Sequence, residues 1–173
     1  MVNKILITCK EREIASLAFS KIISISKERF CGFETERIEA EGCLLGYDLI
    51  TISGKREKLA SVDLISHFSF NKYGLNREAV EGLACASFPQ DGKVTLLKDL
   101  GPMFFRFPSF REKFRLILAS DSPLIVISGG LKDLRNCFLS LDDAIVVDLS
   151  SSNYSSSIKV VIEKTFEFLR RNI

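Results

Sequence analysis

The sequence contains few of the residues on which catalytic and metal sites most often depend. It has no tryptophan, and His67 is its single histidine. Zinc sites built on histidine pairs, and relays that pass a proton through histidine, therefore lack their usual partners. The five cysteines form no C-x-x-C pair, which argues against a zinc site and against a disulfide scaffold. We expect free thiols in a reducing, cytoplasmic environment.

Long apolar runs and an excess of one charge are also absent. No apolar run approaches the roughly 20 residues that span a bilayer, and the first residues lead straight into a predicted strand without a signal-peptide pattern. Lysine and arginine number 24 against 22 acidic residues, which gives a formal net charge of +2. This charge is too small to imply strong attraction to nucleic acid or to an anionic membrane. We therefore expect neither as a partner.

The pattern of apolar residues predicts one α/β domain over residues 1–173. Continuous apolar runs typical of buried strands alternate with segments of helical periodicity. The predicted strands include 4–8, 94–97, 123–128 and 144–148, and the main predicted helices begin near Ile14, Ser109 and Ser156. This alternation predicts a three-layer sandwich with a mostly parallel sheet. An antiparallel hairpin near residues 31–52 is the expected exception, and residues 55–72 are expected to be loop with short elements.

The first strand, a short polar stretch and the following helix have the order of a mononucleotide-binding unit. A phosphate-binding loop would read G-x-x-x-x-G-K-[ST] here, because glycines let backbone N–H groups close on phosphate and the lysine reaches the β and γ oxygens. The sequence instead has Cys9, Ile14 and Ala15 at the Gly, Gly and Lys positions, and it keeps Ser16. The order of elements is that of a nucleotide-binding unit, whereas most of the phosphate-binding residues are missing.

Segments further along the chain carry a family resemblance. They are G-F-E-T-E at 32–36, K-Y-G-L at 72–75 and L-G-P-M at 100–103. These segments are similar to the G-F-x-T-x-E, K-Y-x-V and D-E-I-G-x-M-E motifs of the small P-loop nucleoside-triphosphatases of thermophiles, relatives of the cancer-related nucleoside-triphosphatase. The resemblance runs over nearly the whole chain. It implies a P-loop NTPase-like fold, with Mg²⁺ and ATP or GTP as the ligands of an active member.

The departures from this family fall on the positions that the resemblance implies for catalysis and for binding of metal and phosphate. Lys98 and Asp99 stand where a metal-binding aspartate and a catalytic glutamate are implied, and Tyr154 stands where an arginine follows Asn153. The positions that match the family's nucleotide-binding site are Cys9, Lys10, Glu11, Arg12, Glu13, Ile14, Ala15, Ser16, Lys98 and Asn153.

These departures should weaken phosphoryl transfer, which depends mainly on positioning and on neutralising phosphate charge. Ala15 cannot supply the phosphate cation, a contact worth about 1.5–3 kcal/mol. Lys98 cannot hold Mg²⁺, which requires oxygen ligands. Ser16 is then the candidate metal ligand and Asp99 the candidate catalytic base, while Lys10 or Lys98 could act as a substitute phosphate lysine.

Two function classes follow from these residues. The sequence predicts a catalytically decayed nucleoside-triphosphatase homologue that acts as a binding or regulatory protein, with weak or no nucleotide binding and no required cofactor. The alternative is a slow Mg²⁺-dependent nucleoside-triphosphatase that hydrolyses ATP or GTP at a rewired site. A nucleotide or nucleoside kinase is a more distant possibility, because it needs the same phosphate lysine.

The segment 101–110 is unusually aromatic for a loop. Phe104, Phe105 and Phe107 could fill a vacated nucleotide pocket, form an exposed patch for a protein partner or for self-association, or belong to the ordinary core. A binding protein predicts the exposed patch. An enzyme predicts an open pocket at residues 9–16 on which acidic side chains converge.

Overall fold

A nine-stranded mixed sheet organises residues 1–171, the part of the chain that the computed structural model describes. The strands are β1 (Lys4–Thr8), β2 (Phe30–Ala40), β3 (Cys43–Thr51), β4 (Arg56–Ser61), β5 (Ser69–Phe70), β6 (Tyr73–Leu75), β7 (Val94–Lys98), β8 (Leu124–Ser128) and β9 (Ala144–Asp148). The α-helices are α1 (Arg12–Ile23), α2 (Pro108–Ala119), α3 (Lys132–Leu139) and α4 (Tyr154–Arg171). A π-helical segment covers Glu78–Ala84, and short 3-10 turns cover Lys27–Arg29 and Phe104–Arg106.

The sheet has a parallel half and an antiparallel half, in the order β5-β6-β4-β3-β2-β7-β8-β1-β9. Strands β2, β7, β8, β1 and β9 are paired in parallel with one another. Strands β3, β4, β6 and β5 extend the sheet from β2 with antiparallel pairing. The predicted α/β fold and its hairpin are confirmed, but the antiparallel part continues to Leu75. The sequence does not reveal β4 because its first half is exposed and its second half is buried, so no alternation arises.

Helices cover both faces of the sheet, which confirms the three-layer arrangement. On one face, Phe19 of α1 and Phe168 of α4 pack against Ile5 and Ile7 of β1. On the other face, α2 and α3 pack with Leu6 and the aromatic residues around Phe33. Because the central strands are buried on both sides, their sequences are continuous apolar runs.

The aromatic segment before α2 belongs to the core. Phe104 and Phe107 have no exposed surface. The Phe104 ring stacks on Phe33 of β2 with the centroids 4.9 Å apart, and the Phe107 centroid lies 4.6 Å from that of Phe68. Phe105 is half-buried against the same cluster. The hypothesis of an exposed Phe104, Phe105 and Phe107 patch that binds a partner is therefore wrong for Phe104 and Phe107, because Phe33 of β2 and Phe68, which precedes β5, pack against them.

The state of the cysteines and the character of the helices match what the amino-acid composition predicts. All five cysteines are free, and Cys43 and Cys137 are the exposed ones. Within residues 1–171, no helix combines the length and the apolar character that a membrane span requires.

Candidate ligand-binding cleft

A cleft of about 400 Å³ opens where the parallel strands end. Its floor consists of residues that follow β1, β7 and β8, with part of the first turn of α1. Its opposite wall consists of residues from the antiparallel half of the sheet. The floor includes Cys9, Lys10, Arg12, Ala15, Asp99, Leu100, Ser128 and Gly130, and the wall includes Thr35, Arg37, Tyr47, Phe70, Asn71 and Tyr73. Open α/β sheets place their ligand sites at this carboxyl edge.

The charged side chains of the cleft are mainly cationic. Lys10, Arg12 and Arg37 line it, and Asp99 is the carboxylate among the described lining residues. Lys10 extends past Gly130, where an added Cβ would lie 3.9 Å from the lysine Cε. Arg37 is partly satisfied by Glu39, whose Oε1 is 3.4 Å from Arg37 Nη1. Because Asp99 is itself ion-paired, the cleft presents net positive charge to a ligand.

The connection between β1 and α1 is too short to form a phosphate-binding loop. Helix α1 begins at Arg12, earlier than predicted, so only residues 9–11 link it to Thr8. The N–H of Ala15 donates to the carbonyl of Glu11 at 2.9 Å, so residues 12–14 already form a helical turn. A P-loop requires instead an open loop whose N–H groups surround the phosphate. Here the cleft meets only the beginning of a helix.

The side chains of residues 9–13 point in different directions. Cys9 is buried, its Sγ donates to the carbonyl of Glu11 at 3.3 Å, and burial raises the pKa of its thiol. The Glu11 carboxylate turns away and accepts a hydrogen bond of 2.8 Å from the N–H of Ser151. Glu13 is exposed in the first turn of α1. Within this segment, Lys10 and Arg12 are therefore the charged residues that line the cleft.

Ile14 and Ser16 lie away from the cleft, whereas Ala15 between them lines its floor. Ile14 packs against the core between α1 and α4. Ala15 is 3% exposed at the cleft floor, where a longer side chain would displace its neighbours. Ser16, the candidate metal ligand, lines a separate depression with Glu34 instead of the cleft. The structure therefore does not bring Ser16 together with Lys10 and Asp99.

Lys98 lies beneath the cleft in a buried ion-pair cluster. Its side chain is 5% exposed, and its Nζ lies 2.7 Å from Asp99 Oδ2 and 3.4 Å from Glu34 Oε2. The same Nζ is 5.9 Å from the centroid of the Phe19 ring of α1. Strand β8 separates β7 from β1, and Lys98 lies beside Phe19 in the body of α1. Lys10 and Lys98 are the two candidates to replace the missing phosphate lysine. Of these, Lys10 is the one that lines the cleft.

Asp99 is held in one orientation at the cleft floor. Its Oδ2 accepts hydrogen bonds from Lys98 Nζ at 2.7 Å and from Thr35 Oγ1 at 3.2 Å. Its φ of 59° is left-handed, a conformation that Asp tolerates better than most residues. The carboxylate can therefore accept a hydrogen bond from a water molecule in the cleft.

Asn153 has a structural place outside the cleft. Its Nδ2 donates to the carbonyl of Asp148 at 2.9 Å, and its Oδ1 accepts from the N–H of Ser150 at 2.8 Å. Both polar groups of its amide are therefore used to close the connection between β9 and α4. No group of three His, Cys, Asp or Glu side chains within residues 1–171 is placed to hold a metal ion.

Sequence reasoning missed the wall of the cleft. Arg37 and Tyr47 are direct cross-strand neighbours in the β2–β3 hairpin, so their side chains share one face. Tyr73 belongs to the K-Y-G-L segment, but its position beside Tyr47 depends on the pairing of β4 with β6. The available signal was the alternation of residues 33, 35 and 37 along one strand face.

Comparisons with known proteins agree on one family. A family model described as NTPase matches residues 4–162. The nucleoside-triphosphatase THEP1 of Thermotoga petrophila is 25% identical over 163 residues, which cover 92% of this chain and 90% of the relative. THEP1 of Pyrobaculum calidifontis is 35% identical over 92 residues, or 53% of this chain and 52% of the relative.

Two solved structures share the fold. The crystal structure of THEP1 from the hyperthermophile Aquifex aeolicus matches with a TM-score of 0.76 at 20% identity and covers 95% of this chain and 99% of its own. The solution structure of a human cancer-related nucleoside triphosphatase matches with a TM-score of 0.73 at 17% identity, with coverages of 96% and 98%. At these identities the likeness shows the fold alone.

Proposed function

The chain belongs to the NTPase family, and from this premise we propose that it binds nucleoside triphosphates and hydrolyses them slowly. One observation carries the proposal: Lys10, Arg12 and Arg37 converge on a single cleft at the carboxyl edge of the sheet. Three cations at one opening favour a polyphosphate ligand. Relatives of this chain carry the name nucleoside-triphosphatase, which supports ATP or GTP as the ligand.

The cleft residues have distinct roles in this proposal. Lys10 and Arg12 bind phosphate oxygens at the beginning of α1, where the helix dipole also favours an anion. Asp99, oriented by Lys98 and Thr35, accepts a hydrogen bond from the attacking water. Hydrolysis is slow because the N–H groups of a P-loop and its lysine do not surround the transferred phosphate.

The resemblance implies Mg²⁺, but the residues present do not fit a protein-bound metal. Ser16 lies outside the cleft, and Lys98 brings a cation to the position where the family's aspartate is implied. A hard divalent cation requires oxygen ligands. We therefore assign no step to a metal held by this chain.

A second candidate is a regulatory protein that binds nucleotide without hydrolysing it. The observation that favours it is the start of α1 at Arg12, which replaces the phosphate-surrounding loop by a helical turn. Under this alternative the cationic cleft binds the ligand, and Asp99 has no catalytic role.

Calorimetric titration and phosphate release test the proposal. We expect ATP or GTP to bind the full chain, and Lys10→Ala to weaken binding about tenfold through loss of a charge-assisted contact. The matched control is Lys159→Ala, which removes an exposed cation of α4 and should leave affinity unchanged. Asp99→Asn should abolish phosphate release while binding remains. Binding without release in the unmodified chain selects the second candidate, and absence of binding at millimolar nucleotide refutes both.

A further inference from the structure

We propose that the aromatic wall of the cleft, formed by Tyr47, Phe70 and Tyr73, stacks on the nucleobase of the ligand. This inference rests on the proposed function and specifies how the ligand lies. The phosphates face Lys10 and Arg12 at the floor, and the base faces the antiparallel half of the sheet. The ligand class is then a nucleotide recognised at both ends, and not a free polyphosphate.

The sheet register builds this wall. Tyr47 of β3 is paired with Arg37 on one side and with Ala60 on the other, and Ala60 is paired with Leu75 of β6. The Tyr47 and Tyr73 rings meet edge to face, with centroids 5.8 Å apart and an interplanar angle of 72°. Tyr73 is 8% exposed, so it supports the half-buried Tyr47 from within the sheet. Tyr47 therefore presents a fixed ring to the cleft.

The turn between β5 and β6 adds a polar group beside the rings. Phe70 and Asn71 both line the cleft, and Asn71 is exposed with a left-handed φ of 53°. An asparagine amide offers two N–H donors and an oxygen acceptor, the groups that can read the edge of a base. Stacking rings beside such an amide match the chemistry of a nucleobase better than that of a second phosphate.

Size and charge agree with this orientation. The volume of about 400 Å³ lies in the range of about 300–1,000 Å³ that is usual for small-molecule sites. The cations Lys10 and Arg12 lie at the start of α1, and the rings belong to β3, β5 and β6, so the floor and the wall of one cleft suit the two ends of a nucleotide. Arg37 belongs to the wall beside Tyr47, and its charge is partly neutralised by Glu39. Stacking of one base on an aromatic side chain typically strengthens binding by about tenfold or more.

Comparing the affinities for ATP and for inorganic triphosphate separates the contribution of the base from that of the phosphates. We expect the unmodified chain to bind ATP about tenfold more tightly than triphosphate. Tyr47→Leu should weaken ATP binding about tenfold and leave triphosphate binding unchanged, whereas Tyr47→Phe should retain both. Phe166→Leu, which alters an exposed ring of α4, is the matched control and should change neither affinity.

A fluorescence experiment gives a second readout. Because the sequence has no tryptophan, Tyr47→Trp introduces a single indole at the wall. We expect ATP to quench its emission through stacking and triphosphate to leave the emission unchanged. Equal affinities for ATP and triphosphate, or equal losses of both in Tyr47→Leu, overturn the base-stacking inference and leave phosphate binding intact. If neither ligand binds, the proposed function fails as well.

Discussion

Replacing Lys98 by methionine tests the ion-pair cluster that orients Asp99. Methionine preserves most of the buried aliphatic volume and removes the charge. The ammonium that is lost lies 2.7 Å from Asp99 Oδ2 and 3.4 Å from Glu34 Oε2. Both carboxylates then remain beside an apolar side chain without their buried cation.

The burial of Lys98, Asp99 and Glu34 determines how much the free energy of unfolding should fall in Lys98→Met. Removing one partner of a fully buried pair costs about 3–5 kcal/mol. The side chains of Asp99 and Glu34 are 25% and 32% exposed, so water partly compensates them. We therefore expect the free energy of unfolding to fall by about 2 kcal/mol. For a chain of this length this corresponds to a Tm lower by about 4–8 °C.

Urea unfolding and thermal unfolding measure this loss against a matched control. Arg115 forms an ion pair of the same 2.7 Å length with Glu112, but the two side chains are 65% and 58% exposed. Arg115→Met should therefore cost about 0.5 kcal/mol or less. Lys98→Met should also lower the rate of phosphate release more than nucleotide affinity. A Lys98→Met protein as stable as the Arg115→Met protein would refute the electrostatic reasoning.

Two further predictions concern the core. Lys4 has no exposed surface, and burial lowers the pKa of its ammonium below its ordinary value of 10.5, although Nζ donates to the carbonyls of Ser120 and Ser122. The unfolded state then binds more protons, so stability should rise relative to Lys4→Met as the pH increases from neutral toward 10.5. A pH-independent difference in urea unfolding would contradict this. Phe104→Ala should cost about 3–5 kcal/mol, against about 1 kcal/mol or less for the exposed Phe166→Ala, and equal costs would place the Phe104 ring outside the core.

The parallel half of the fold could be predicted because each central strand is covered on both faces. Residues 124–128 are buried without exception, so the apolar run marks the strand directly. Helix α3 was missed, since only Leu134 and Phe138 are buried in its eight residues and this stripe is too short to recognise. Strand β4 was missed because its first three residues, Arg56–Lys58, are exposed to solvent, so the strand shows no alternation of apolar and polar residues.

The candidate site was predictable where it follows the chain order and not where it depends on register. Lys10 and Asp99 follow apolar strands that the sequence reveals, so their place at the carboxyl edge could be inferred. Tyr47 and Tyr73 meet only after two antiparallel pairings, β3 with β4 and β4 with β6, have been formed. The burial of Phe104 likewise depends on Phe33, which is distant in sequence.

The three-residue connection between β1 and α1 also limits how this chain could change over generations. Substituting glycine for Arg12 and Ile14 and lysine for Ala15 would restore the letters of a phosphate-binding loop. Each glycine alone would first weaken a helical turn by about 1 kcal/mol, and a lysine at a position that is 3% exposed would first disturb the core. Phosphate contacts would appear only after the turn had opened. Each single substitution toward that loop therefore lowers stability before it adds a phosphate contact, so the three changes would have to come together.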